Sequence, residues 1–237
     1  MAVVSVDLAY KKYRDIGIAV LESENGGIAC EFVRPTLQGT PEPMTLARYL
    51  SDLCTERQSD LLLLDGPQGW KDPDNGLLHS RVCERSLNTP AKTGLPGSVK
   101  PANYGPFVTF SIRVYDCLSE LGWTRFSGEN RGLDGSQRVL VESFPLSAWR
   151  TLGVPSLPSK RRTQPSDLAD RLKDLMNLFD LQVGEAPNHD ELQALVSGLA
   201  GVCLEHGDWS RCEVVGEDPF ELDGSWREGV IVNALRP

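Results

Sequence analysis

The sequence predicts an α/β protein. Its expected core is a mixed sheet with an antiparallel three-stranded meander at one edge, parallel strands beyond it, and helices on the faces. Three observations predict this. Short β-branched and apolar runs at 3–7, 16–21 and 28–33 follow one another closely, with a Gly26-Gly27 turn between the last two. Residues 61–64 are all leucine and end at Asp65-Gly66-Pro67, the pattern of a strand buried on both faces. A further run at 139–144 comes after a long crossover, the connection that parallel strands require.

The remaining elements follow in chain order. Leu46, Leu50, Leu53 and Cys54 share one face of a helix over 44–55. Residues 68–105 are rich in Gly, Pro, Asn and Ser with no sustained period, so they are expected as an inserted functional or mobile loop region. A helix over 107–121 stops at Gly122, and a proline-containing loop follows the 139–144 strand. Ser166 is expected to cap a helix bearing Leu168, Leu172, Leu175, Met176 and Phe179 on one face. Asn188 is expected to cap another that runs to about 206. A last strand is expected at 230–235, within an acidic C-terminal extension from about 207. All 237 residues are expected to form one domain.

Composition narrows the function. With 40% apolar and 24% charged residues the chain is ordinary for a globular protein. Net charge is −9, and from Asp180 onward 12 acidic residues face three basic ones, which argues against indiscriminate coating of DNA. It leaves room for an acidic, metal-dependent site acting on phosphates. Six cysteines without a C-x-x-C pair, and only three histidines, argue against a zinc finger or ribbon. No apolar run approaches the ~20 residues of a membrane span. Without a signal-peptide pattern, these thiols point to a reducing cytoplasm.

Three acids fall at strand positions: Asp7, Asp65 and Glu142. Acids disfavour strands, and burying an unpaired carboxylate is costly. A metal ion, a basic partner or solvent at the strand end would remove that cost, and ligands of α/β sheets gather beyond the carboxyl ends of the strands. Each acid also has an ordinary use: an Asx turn for Asp65, a pairing with Lys11 or Lys12 for Asp7, a solvent-facing edge for Glu142. A fourth acid, Asp190, opens the helix after Asn188, where it also opposes the helix dipole, while Glu191 fits a capping box. That helix carries a stripe of small residues, Ala194, Ser197, Gly198 and Gly201, which would let its backbone lie close to the sheet and bring its first turn near the strand ends.

Together these landmarks resemble the domain-of-unknown-function family 429, predicted RNase H-like nucleases related to Holliday-junction resolvases of the RuvC type. The residues that carry the resemblance are Val4-Ser5-Val6-Asp7-Leu8-Ala9, Leu62-Leu63-Leu64-Asp65-Gly66-Pro67-Gln68-Gly69, Arg81-Val82-Cys83-Glu84-Arg85, Val141-Glu142-Ser143-Phe144-Pro145, Ser159-Lys160-Arg161-Arg162-Thr163 and His189-Asp190-Glu191-Leu192-Gln193-Ala194-Leu195. They span roughly residues 2–205 in the family's order. The resemblance implies an RNase H-like fold with acids around one or two divalent ions. It makes Asp7 the first-strand acid, Asp65 the central-strand acid, Glu142 the late-strand acid and Lys160 the lysine of a Ser-Lys-Lys-Thr-like segment. The family's last helix usually reads Asp-Ala-Leu, whereas Gln193 stands before Ala194-Leu195 here; Asp190, one turn earlier on the same face, is the substitute.

The implied chemistry is phosphodiester hydrolysis by a divalent-metal-dependent nuclease, with Mg²⁺ or Mn²⁺ held by Asp7, Asp65, Glu142 and Asp190. Lys160 would contact the scissile phosphate or order the nucleophilic water; its ordinary alternative is a solvated loop lysine. Arg81, Arg85, Arg161 and Arg162 are the expected contacts to DNA or RNA, and Tyr104, Phe107 and Trp149 the candidates for stacking on bases. Two other readings compete. One is an inactive or weak member of the fold that binds nucleic acid or a protein partner, favoured by Gln193. The other is a phosphotransferase or nucleotide hydrolase of actin-like topology, disfavoured because the stretch after Asp7 lacks a glycine-rich phosphate loop.

Overall fold

A computed structural model describes residues 2–24, 26–128 and 137–237; Met1, at the head of the first expected strand, lies outside them. The chain opens with β1 (Ala2–Asp7), β2 (Gly17–Glu24) and β3 (Gly27–Phe32), then α1 (Pro43–Glu56) and β4 (Leu61–Asp65). The inserted region holds α2 (Val82–Leu87) and a small hairpin of β5 (Lys92–Thr93) and β6 (Val99–Lys100). Next come α3 (Gly105–Glu120), β7 (Thr124–Arg125), β8 (Val139–Ser143), α4 (Pro145–Thr151) and α5 (Pro165–Phe179). β9 (Leu181–Val183), α6 (His189–Glu205), β10 (Cys212–Leu222) and β11 (Ser225–Ala234) complete the chain.

The main sheet runs β10-β11-β8-β4-β1-β2-β3-β9, with β7 paired to β8. β1, β4 and β8 are parallel neighbours, and β2 is antiparallel to both β1 and β3. The central order β3-β2-β1-β4-β8, with β2 reversed, is an RNase H-like mixed sheet flanked by helices.

Side-chain alternation divides the sheet into two faces. Val3, Leu63 and Val141 pack with Leu195 and Leu199 of α6 on one face. Val4, Leu62, Leu64 and Leu140 pack with Leu46 of α1 and Val114 of α3 on the other. The approach of α6 is unusually close. A Cβ at Gly198 would stand 2.9 Å from Ser5 Cβ, and one at Gly201 would stand 2.4 Å from Val3 Cγ1 and 2.5 Å from Leu63 Cδ1.

Several local expectations change in the fold. The loop after β8 is a helix, α4, because Pro145 suits a first helical turn and Trp149 is fully buried beneath it. α5 begins two residues earlier than a Ser166 cap requires: Gln164 is the cap, Pro165 takes the first helical position, and the Asp167 carboxylate accepts the Gln164 backbone N–H at 2.8 Å. The acidic segment after about 207 is built into the sheet rather than appended to it. β11 buries Val230, Ile231 and Val232 beside β8, while β10 shows Glu217, Asp218 and Glu221 to solvent along the edge. Charges on such an edge discourage pairing with another chain. The inserted region is tied to this hairpin. The fully buried Glu228 accepts backbone N–H groups of Asp72 at 3.0 Å and Val82 at 2.8 Å, and the Asn75 amide at 2.6 Å.

Gly201→Ala places a methyl group against Val3 and Leu63, so overpacking should outweigh the gain in helix propensity. The expected loss is about 1–3 kcal/mol, read as a lower urea midpoint at unchanged m-value. An unchanged midpoint would show that α6 is free to shift away from the sheet.

Candidate metal centre

β1 and β4 run parallel and in register, with Asp7 opposite Asp65, and β4 is in register with β8, with Asp65 opposite Ser143. Asp7, Asp65 and Ser143 therefore form a row across the carboxyl ends of three adjacent strands. All three continue the face that carries α6. Asp7 and Asp65 are half-buried. Burial pushes Asp65 up to about 7; the hydrogen bond with Asp7 works against this and the Glu142 charge adds to it. Asp7 is raised well above the usual carboxylate range by burial, then by the charges of Asp65 and Asp190, with Lys160 opposing. Burial and the neighbouring charge thus favour the protonated form of both carboxyls over a doubly ionised pair.

α6 brings the next acid. Asn188 caps it, its side-chain oxygen accepting the N–H groups of Asp190 at 2.9 Å and Glu191 at 3.1 Å, while the Glu191 carboxylate accepts the Asn188 N–H at 2.7 Å. The expected cap is thus the one that forms. The first turn lies directly on β2 at Gly17, the register partner of Asp7; a Cβ there would stand 2.1 Å from the Asp190 carbonyl oxygen. Gly17 was not singled out in the sequence, although a glycine opening a strand opposite an acid is the available signal. The buried Asp190 carboxylate is held by Lys160 and contacts His189 Nδ1 at 3.2 Å. Lys160 also donates to Asp15 at 3.0 Å. Burial works against the lysine charge, and its two carboxylate partners outweigh that, raising its pKa. Gln193 does not face the acids; its side-chain oxygen accepts the Trp149 indole N–H at 2.7 Å.

Glu142 stands apart from this group. It pairs with Ile231 in register but, one residue before Ser143, points to the opposite face of the sheet from Asp7 and Asp65. There Arg81 grips it with two hydrogen bonds, at 2.8 and 2.6 Å, and the Gln68 N–H adds a third at 3.1 Å. Arg81 is only 1% exposed and also bonds Glu84 at 3.1 Å. The expectations are corrected accordingly. Glu142 has its oxygens occupied by protein donors, and Arg81 is a buried counter-ion with no surface to offer a substrate. Trp149 is likewise buried and not a stacking platform. Arg85, Arg161 and Arg162 are exposed, and Tyr104 and Phe107 are half-buried.

As they stand, no three His, Cys, Asp or Glu side chains among the described residues are close enough together to hold one ion. The donor set nonetheless fits a hard divalent cation at Asp7 and Asp65. They offer oxygen donors whose mutual repulsion a cation would relieve, and the Asp190 charge is near enough to act on Asp7. Ser5 and Ser143, which flank the pair on this face, have buried hydroxyls without a hydrogen-bond partner.

Fold and site together describe an RNase H-like α/β protein with paired carboxylates at the ends of its central strands. Among solved structures, the chain is similar to RuvC of Thermus thermophilus, at a TM-score of 0.42 and 12% identity over 89% of this chain and 96% of that one. It is also similar to the T. thermophilus RuvC in complex with Holliday junction substrate, at a TM-score of 0.42 and 13% identity over 88% of this chain and 98% of that one. No family model and no curated protein matches the chain.

Two variants separate the acids by role. Between about pH 4 and pH 7 the folded Asp7–Asp65 pair holds a proton that the unfolded chain has lost, so without divalent ions stability declines as pH rises through that window. Asp7→Asn removes one of the two charges. In chelator it should melt above wild type at pH 8 and gain less at pH 5; an equal gain at both pH values would show that repulsion is not the cause. Arg81→Met leaves Glu142 buried without its counter-ion and should cost about 3–5 kcal/mol in urea unfolding. A fully stable Arg81→Met protein would return Arg81 to the list of surface contacts.

Proposed function

We propose that the protein is a divalent-metal-dependent nuclease that hydrolyses phosphodiester bonds in nucleic acid. The observation that carries this is the Asp7–Asp65 row with Asp190 delivered beside it, at the edge of the sheet where α/β proteins bind ligands. Asp7 and Asp65 would hold a Mg²⁺ or Mn²⁺ ion and Asp190 would complete its ligands. Glu142 is outside this set. Such an ion polarises a phosphoryl oxygen and lowers the pKa of bound water.

The chain's own residues supply the rest. Asp7 and Asp65 would hold the ion as carboxylates, so any proton they carry would leave on binding. Lys160, held on Asp190 and Asp15, is charged and at the rim. With Asp190 serving as a ligand, Lys160 would be left with its charge facing the site, where it would take a phosphate oxygen. Arg161 and Arg162 follow it in an exposed segment, and residues 145–165 contain no acid at all. Lys11, Lys12 and Arg14 lie just after Asp7, and Arg85 is exposed on α2. Cations so placed suit contacts to the phosphate backbone, which position a nucleic acid without reading its sequence.

The test is a calorimetric titration of Mg²⁺ and Mn²⁺ in buffers of different ionisation enthalpy, followed by incubation with labelled single-stranded, duplex, hybrid and branched DNA and RNA. Metal binding should release protons, and more of them as the pH is lowered, because both carboxyls are raised above their usual range. Asp7→Asn should lose both metal binding and cleavage, and Lys160→Ala should retain binding and lose most cleavage. A folded wild type that binds neither ion and cleaves no substrate would overturn the reading in favour of a binding module.

A further inference from the structure

A cavity of about 170 Å³ opens beside Asp65 at the carboxyl ends of β4 and β8. It lies between the sheet and the inserted region, and Asp65 itself lines one side of it. Three aromatic side chains line it: Tyr104 and Phe107 at the start of α3, and Phe144 just before α4. All three are half-buried, with ring surface left open. Its floor is polar, formed by the Arg81–Glu142 pair and Glu84. Ser143, the register partner of Asp65, also lines it and carries a buried hydroxyl with no partner.

The backbone is shaped to admit the Phe107 ring next to Asp65. Gly66 adopts φ +140°, and a Cβ there would stand 3.2 Å from Phe107 Cζ and 2.5 Å from Ser111 Oγ. Phe107 also meets Tyr10, three residues after Asp7, with ring centroids 6.4 Å apart. An aromatic surface therefore borders Asp65 and extends to Tyr10.

Size and chemistry limit the occupant. The volume is well below the ~300–1,000 Å³ of sites for drug-sized ligands, so the cavity holds one ring system and not a whole nucleotide or a peptide segment. Aromatic rings suit a flat partner, and the unpartnered Ser143 hydroxyl suits one with a hydrogen-bonding edge. We infer that the cavity receives a single unstacked nucleobase of the strand whose phosphate lies at Asp7 and Asp65. This rests on the nuclease reading and deepens it: the preferred substrate then carries an unpaired nucleotide beside the cleaved bond, since a paired base must first be extruded from its stack.

The experiment uses a short duplex with one unpaired nucleotide, made with and without the base at that position, in DNA and in RNA. Binding is measured by anisotropy in chelator, and cleavage in Mn²⁺. The wild type should bind the base-containing duplex more tightly by about 5- to 150-fold, the range of one base stacked on aromatic side chains. Phe107→Ala should lose most of that preference. Ala91→Phe, which fills the cavity from its half-exposed wall, should lose it while Asp7 and Asp65 are untouched. Equal binding with and without the base, or a preference that survives Ala91→Phe, overturns the inference and leaves the nuclease reading in place. Base-dependent binding without cleavage of any substrate supports the cavity and removes the nuclease reading. No binding of either duplex removes both.

Discussion

The site depends on how closely α6 lies on β1 and β2. Helices ordinarily rest on a sheet through interlocking side chains, which hold the backbones about 10 Å apart. Here Gly17, Gly198 and Gly201 remove those side chains at successive contacts, and neighbouring atoms already occupy the space a methyl group would need. The first turn of α6 is thereby pressed against the strand opposite Asp7. Asp190 reaches the carboxylate pair because the backbone beneath it does.

Close approach concentrates negative charge, and the protein handles it differently on its two faces. Glu142 is neutralised from within by Arg81, whose guanidinium is itself shared with Glu84. That network joins β8 to the inserted region and, through the Glu228 carbonyl at 3.3 Å, to the last hairpin. Asp7 and Asp65 have no arginine. Burial and neighbouring charge raise both their pKa values, which favours protonation, and Asp190 meets the same problem with a lysine from the exposed segment before α5. A buried guanidinium gripping both oxygens is a fixed arrangement. A proton and a half-exposed lysine are replaceable by a cation. The contrast separates an acid that organises the fold from acids suited to chemistry.

Much of this was legible locally. Short β-branched and apolar runs marked the first strands, the leucine run marked the doubly buried one, and Asn188 with Glu191 announced the start of α6. The small-residue stripe of α6 foretold its close packing. Short elements escaped because they have too few residues to show a period: α2 has six and β9 three. Of the C-terminal hairpin, β11 was expected in part and β10 escaped because its acids obscured the alternation; their reason is its place at the sheet edge.

The sequence by itself determined that acids stand at the ends of apolar strands and that a capped helix with a glycine-bearing face follows them. Only the tertiary structure decided which acids belong together. One residue of register between β4 and β8 puts Ser143 beside Asp65 and turns Glu142 to the far side of the sheet. Its partner, Arg81, comes from 61 residues earlier in the chain. Strand pairing and ion pairing across such distances are set by global packing, since the local pattern around Glu142 is the same whichever face it occupies.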